Sequence, residues 1–215
     1  MPHTHKCVTL DLLRHGEVSA PPAFFGATDI ALSPLGQEQM HSAIRLGELQ
    51  ASQAPWDRII SSPLQRCWRF AEQVSAQLNV PMEIEPDLRE IHFGQWEGLS
   101  AQELGQRDPE GFQAYIDSPL EYTPPQGEKL ADFRRRVSEA LHKIKHAHFD
   151  QRVLLIAHSG VIRSTLCDVL RAPADTLFSL KCPYACYSQI QYFYHPQQQS
   201  DQLVTYNSRL EISRP

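Results

Sequence analysis

Four short strand-like runs, each breaking off at a polar or turn-forming residue, set the plan of this chain. Residues 153–157 (Val-Leu-Leu-Ile-Ala) form a continuous apolar stretch of the kind that is buried on both faces of a sheet, and 8–13 reads the same way. Arg58-Ile59-Ile60-Ser61 reads as a third strand and 80–85, just after Asn79, as a fourth. Helical spacing fills the gaps. Ser33 and Pro34 cap and open a helix expected to run to about residue 53. Ser62 is expected as the N-cap of the next helix, with Pro63 first in it and Gln65 third in a capping box, so that Arg66 falls in its first turn. Phe133, Val137, Ala140, Leu141 and Ile144 share one face of a helix over 132–149. Val161, Ile162, Leu166, Val169 and Leu170 share one face of another, which starts directly behind the 153–157 strand. Strands alternating with helices imply an α/β fold, a three-layer sandwich around a mostly parallel sheet.

The alternation lapses in two places. Between 100 and 126 it gives way to short helical pieces punctuated by Asp108-Pro109-Glu110-Gly111 and Thr123-Pro124-Pro125, so a small helical lid inserted at about 99–127 of a single domain over 1–215 is expected near the strand ends. At the end, runs over 186–194 and 202–210 flank a polar turn at 196–201. That suits an antiparallel hairpin on the sheet edge.

Composition narrows the function. A chain of 215 residues with 41% hydrophobic content supports one substantial core. The formal charge of −5 supplies no basic field for nucleic acid or an anionic membrane, so a binding site for anions must be a local cluster and its partner a small molecule. No apolar segment approaches the ~20 residues that span a bilayer, the N-terminal run is too short for a signal peptide, and a cytoplasmic location is expected. Five cysteines, an odd number spread through core segments, read as reduced thiols. Oligomeric state is left open.

The strand ends carry the candidate chemistry. Arg14 and His15 follow the first strand, Arg66 follows the strand ending at Ser61, and His158 and Ser159 stand where the 153–157 strand meets its helix. Ligands of open parallel α/β sheets bind outside the carboxyl ends of the strands, which brings these residues together. Two guanidiniums and two imidazoles facing helix N-termini describe a phosphate site.

These blocks, Leu13-Arg14-His15-Gly16-Glu17, Thr28 to Gly36, Ser61 to Arg66, Leu88-Arg89-Glu90 through Phe93-Gly94-Gln95-Trp96-Glu97-Gly98, and Ala157-His158-Ser159-Gly160, resemble the histidine phosphatase (phosphoglycerate-mutase-like) superfamily in the same order, over most of the chain. Short length, the 93–98 block and the Asn207-Ser208-Arg209 ending are similar to its alpha-ribazole phosphatase branch of cobalamin biosynthesis. The resemblance implies phosphomonoester hydrolysis through a phosphohistidine, with His15 as nucleophile, Arg14, Arg66 and a His158 able to carry a proton around the phosphoryl oxygens, and Glu90 as proton donor. Positioned cations then replace a metal, and no cofactor is expected. The resemblance also marks Ser159 as a phosphate contact through its amide, and Glu128 at the pocket mouth. Where the family carries Thr or Ser and then Asn after its Arg-His-Gly-Glu block, this chain has Val18, Ser19, Ala20, Pro21 and Pro22, leaving Ser19 as the candidate replacement donor. A broad-specificity metabolite phosphatase, a phosphoglycerate mutase and a non-catalytic phospholigand-binding domain are the alternative functions.

Other features fit structural roles. His3, His5 and Cys7 alternate on the N-terminal tail without a second ligand cluster. His142, His146 and His148 read as a solvated helix face, Cys182 and Cys186 as core thiols, and Glu128 equally well as an N-terminal helix carboxylate. Phe24, Phe25, Trp96, Tyr115 and Tyr122 are candidates for a rim that stacks on a base, or alternatively for packing of the lid.

Overall fold

A computed structural model describes residues 6–50, 55–194 and 200–208. Six strands form one sheet: β1 (Lys6–Arg14), β2 (Arg58–Ser61), β3 (Met82–Ile84), β4 (Arg152–Ala157), β5 (Tyr187–Tyr194) and β6 (Ser200–Ser208), in the order β3-β2-β4-β1-β5-β6. The first four are mutually parallel, and β5 runs antiparallel to both β1 and β6. This is the mostly parallel sheet with an antiparallel edge that the apolar runs imply. Of the expected turn at 196–201, Ser200 and Asp201 belong to β6, while 196–199, the expected strand end at 209–210, and His3 and His5 lie outside the described residues.

Strand periodicity divides the core in two. Val153, Leu155 and Ala157 of β4 face a cluster with α5 (Leu130–Ala147) and α6 (Ser159–Leu170). Leu154 and Ile156 face α1 (Pro34–Gln50) and α2 (Gln65–Leu78) on the other side. Burial of β4 on both faces explains why its sequence lacks polar alternation. One charge is built into this core. Asp11, fully buried in β1, is held by Arg152 Nε at 2.6 Å, Gln189 Nε2 at 2.8 Å and Trp56 Nε1, which together satisfy a carboxylate that would otherwise be costly to bury.

Three local expectations are corrected. Helix α2 begins at Gln65 with Leu64 as N-cap, so Ser62 and Pro63 precede it, and the carboxylate of Asp29 accepts from the Gln65 amide at 2.7 Å. The fourth strand of the sequence reading shrinks to Met82–Ile84. His148 does not sit on a solvated face: it is buried at the end of α5, bonded to Gln151 and Glu83. By contrast Ser33 does cap α1, its hydroxyl accepting from the Gly36 amide at 2.9 Å.

The segment between β3 and α5 holds α3 (Ala101–Arg107) and α4 (Pro109–Asp117). A full capping box at Ser100 and Glu103 starts the first, and Asp108 with Pro109 starts the second. Trp96 anchors them. It is 2% exposed, donates Nε1 to Asp108, stacks on Tyr122 at 5.6 Å and meets Tyr115 and Phe24 edge-on. Trp96 and Phe24 therefore pack the insertion, the second of the two readings open for them. The large apolar area of Trp96 has better use inside a small satellite core. Among the described residues no helix is long and apolar enough to cross a membrane.

Candidate active site

The carboxyl ends of β2, β4 and β1 are adjacent, and the candidate residues converge there. The His15 amide donates to the Ala157 carbonyl at 3.0 Å and the Ser62 amide to that of Ile156 at 3.0 Å, so backbone hydrogen bonds fix the loops that leave the sheet. The rings of His15 and His158 are 5.2 Å apart. A Cβ on Gly16 would lie 2.1 Å from the Gly36 carbonyl oxygen, and this close approach brings the loop after His15 against the start of α1.

Each imidazole has one tautomer assigned by its partners. His15 Nδ1–H donates to the Gly16 carbonyl at 2.8 Å, leaving the Nε2 lone pair available. His158 Nδ1 accepts from Arg66 Nε at 3.3 Å, so its proton is on Nε2, which donates to Ser62 Oγ at 2.6 Å. Burial, followed by the charges of Arg14 and Arg66, holds His15 well below the ordinary histidine range. Burial and then Arg66, His15 and Arg14 do the same to His158. Both imidazoles are thus held toward the neutral form, which weighs against a proton on His158. Cys67, whose sulfur lies 3.7 Å from His158 Nε2, is inert by the same logic, since burial pushes its thiol up to about 12.

The sign of the resulting pH dependence follows. Below about pH 6.5 the unfolded chain binds protons that His15 and His158 refuse in the folded state, so stability falls as pH drops through that value toward their lower folded pKa values. Denaturant unfolding between pH 7.5 and 5 is expected to show this loss, and His15→Asn to make its slope shallower. An unchanged slope in the variant would mean that His15 titrates alike in both states.

The guanidiniums are anchored yet keep donors in reserve. Arg66, 1% exposed, donates through Nη1 and Nη2 to the carbonyls of Thr28 and Gly26, both at 2.7 Å, and through Nε to His158. Two of its five N–H groups are left for a ligand. Arg14 donates to the Cys182 carbonyl, lies 4.3 Å over the ring of Tyr184, and has a buried Nε with no partner. An orphaned guanidinium donor beside a neutral imidazole is ready to donate to a phosphate oxygen.

Glu90 is buried near the start of α6. Its carboxylate accepts from the Gly160 amide at 3.0 Å, Ser159 Oγ at 3.2 Å and the Ile91 amide at 3.1 Å. A Cβ at Gly160 would fall 2.3 Å from Glu90 Oε1, so only glycine leaves room for this carboxylate.

Two other sequence candidates are occupied elsewhere. Ser19 is exposed and its hydroxyl donates to the Leu32 carbonyl at 2.9 Å, beside the Val18–Leu32 bridge. Glu128 lines the cleft, but both oxygens are taken by Arg136, at 2.7 and 2.8 Å, with the His92 amide adding a third donor. That Arg136 also grips the carbonyls of Asp87, Arg89 and Glu90, so the pair shapes the backbone that carries Glu90.

Sequence reasoning missed four contributors. Ser62 holds His158 where it was expected to cap a helix. Tyr184 covers Arg14 and lies 5.7 Å from the His15 ring. Arg136 reaches back from α5 to the backbone that carries Glu90. Glu97 accepts from the amides of Gly26, Ala27, Thr28 and Phe93 at 2.9 to 3.1 Å, which fixes the loop whose carbonyls hold Arg66. Burial raises its pKa, but the Thr28 hydroxyl and these amides outweigh that and keep the carboxyl below its usual range. Ser62 and Glu97 had a sequence signal, their places in the 61–66 and 93–98 blocks.

Cys182 and Cys186 are buried thiols with sulfurs 3.2 Å apart, in agreement with their reading as core residues. Among the described residues no group of three or more His, Cys, Asp or Glu is placed to hold a metal ion.

Comparison with known proteins gives the family. The model of the histidine phosphatase superfamily (branch 1) matches residues 10–207. An adenosylcobalamin/alpha-ribazole phosphatase of Salmonella typhimurium is 29% identical over 83% of this chain and 88% of its own length. Phosphoserine phosphatase 1 of Hydrogenobacter thermophilus is 30% identical over 85% and 86%. The crystal structure of the alpha-ribazole phosphatase from Shigella flexneri superposes with a TM-score of 0.80, at 27% identity, over 94% of this chain and 96% of that one. The chain belongs to branch 1 of the histidine phosphatase superfamily.

Proposed function

We propose that this protein is a phosphoric monoester hydrolase that works through a phosphohistidine at His15. The observation that carries the reading is the pairing of a neutral, single-tautomer His15 with the spare donors of Arg14 and Arg66 at one strand-end site. In the first step His15 Nε2 forms a bond to phosphorus as the ester oxygen leaves and takes a proton from the Glu90 carboxylic acid. The two arginines, together with the Ser159 amide and the Nε2 proton that His158 now gives to Ser62, receive the equatorial oxygens, where charge spreads in the transition state. In the second step the Glu90 carboxylate removes a proton from water as its oxygen bonds to phosphorus, releasing phosphate and restoring neutral His15.

The substrate proposed is alpha-ribazole 5′-phosphate, placing the enzyme in cobalamin biosynthesis in the cytoplasm, with the helical insertion at about 99–127 as lid. Relatives of that name support this, and the cleft beside Glu90, lined by Phe93, Tyr115, Tyr122 and Phe133, suits a flat aromatic base. Measured kcat/KM for alpha-ribazole 5′-phosphate, phosphoserine and 3-phosphoglycerate tests it. Preference for the nucleoside-like ester is expected, and preference for either of the others, or equal use of all three, would defeat the substrate while leaving the chemistry standing.

Glu90→Gln tests the chemistry. It is expected to slow alkyl phosphates by ~10²-fold or more and 4-nitrophenyl phosphate far less, because an activated leaving group departs without a proton. Equal slowing of both would remove Glu90 from leaving-group protonation.

A further inference from the structure

Past Glu90, Ser159 and Gly160 the site opens into a cleft with walls that are mostly apolar. Arg163 interrupts that lining. It lies on α6 three residues after Gly160 and four after Ser159, so the helical repeat places it on the same face as the two donors that hold Glu90. Its Nε is buried without a hydrogen-bond partner, and among the described residues no carboxylate lies within 4 Å of its guanidinium.

The nearby acids are committed elsewhere: Glu90 to Ile91, Ser159 and Gly160, and Glu128 to Arg136. Across the cleft the phenol of Tyr115 on α4 is raised by burial and by Glu90, while the charge of Arg163 opposes the shift, which places the guanidinium within electrostatic reach of the lid. A buried donor left unpaired in an apolar wall is anomalous in a native protein, and a ligand that supplies an acceptor resolves it.

We propose that Arg163 is a specificity-determining residue that receives a hydrogen-bond acceptor on the leaving group of the phosphomonoester, at the end remote from phosphorus. The inference rests on the phosphatase reading and deepens it. The substrate class is an organic phosphate whose leaving group enters the cleft and carries an acceptor at its far end. Two sources supply one: a carboxylate, as in phosphoserine, and neutral ribose or ring atoms, as in alpha-ribazole 5′-phosphate. Arg14 and Arg66 take the phosphoryl group in either case, so phenyl phosphate, which lacks a second acceptor, is the reference.

The experiment compares wild type, Arg163→Met and Arg163→Lys on these three substrates. Arg163→Met is expected to lower kcat/KM for the preferred acceptor-bearing substrate by about 10- to 100-fold more than for phenyl phosphate, chiefly through KM, with Arg163→Lys recovering part of the loss. Sensitivity confined to phosphoserine identifies a carboxylate, and sensitivity confined to alpha-ribazole 5′-phosphate identifies the neutral acceptor. Equal losses on all three, or no loss on either acceptor-bearing substrate, would overturn the role of Arg163 while the phosphatase reading survives. Wild-type protein that hydrolyses none of them would overturn both.

Discussion

His15→Ala is expected to lower phosphomonoester turnover by at least ~10³-fold while the fold stays intact. The reasoning joins three observations. The imidazole presents a free Nε2 lone pair because Nδ1–H is spent on the Gly16 carbonyl. Burial and two flanking arginines keep it unprotonated. Its position at the end of β1 is secured by backbone bonds, the His15 amide to Ala157 and the Ala185 amide to the His15 carbonyl, which alanine retains. Deletion therefore removes the proposed nucleophile without removing the tie between sheet and loop. Arg14 and Arg66 remain to bind the phosphoryl group and Glu90 to protonate the leaving oxygen, but no nucleophile remains to receive it. The check is phosphate release by purified variant of unchanged circular dichroism, together with mass spectrometry of rapidly quenched protein. Wild type should carry a phosphoryl group on the peptide containing His15, and the variant none. Release by the variant above about one-tenth of the wild-type rate would take His15 out of the mechanism.

Much of this site could be read from the sequence because its residues stand at the ends of strands that announce themselves. The apolar run 153–157 ends at His158, the Arg58–Ser61 run leads to Arg66, and a parallel sheet aligns those ends on one edge. The supports could not be read in the same way, since they act across long separations. Glu97 braces amides about 70 residues earlier, Arg136 grips carbonyls of 87–90, and Asp11 meets Arg152 at a separation of 141. No local period encodes such pairs. At Ser62 local reasoning was misled: Ser-Pro followed by Gln is a strong helix-start signal, but the hydroxyl gains more from a buried histidine, and Asp29 supplies the cap from another loop. Trp96 stayed open between rim and packing for a related reason. Sequence shows that an insertion is rich in aromatics, and only its tertiary packing shows which of them face inward.

Arg66→Lys is expected to cost on the order of 10²-fold in kcat/KM, and Arg66→Ala more, because this side chain does three things that a point charge cannot do together. Its fork spans the carbonyls of Gly26 and Thr28, its Nε satisfies the Nδ1 lone pair of His158, and its two remaining N–H groups are available to a phosphoryl oxygen. Lysine keeps the charge but cannot hold that geometry, so a buried carbonyl or the His158 ring loses its donor at ~1–3 kcal/mol each. Alanine also removes the charge, which is one of the influences depressing both histidines, so their pKa values should rise in Arg66→Ala. The acid limb of kcat/KM on 4-nitrophenyl phosphate should therefore move to higher pH in the alanine variant, as protonated His15 begins to accumulate. It should stay nearer its wild-type position in the lysine variant. Measurement of both variants from pH 5 to 8, after matching their thermal stability to wild type, separates lost binding from a changed nucleophile. A lysine variant within about threefold of wild type would show that the guanidinium does not contact the phosphoryl group, and an unmoved acid limb in the alanine variant would show that Arg66 does not set the protonation of His15.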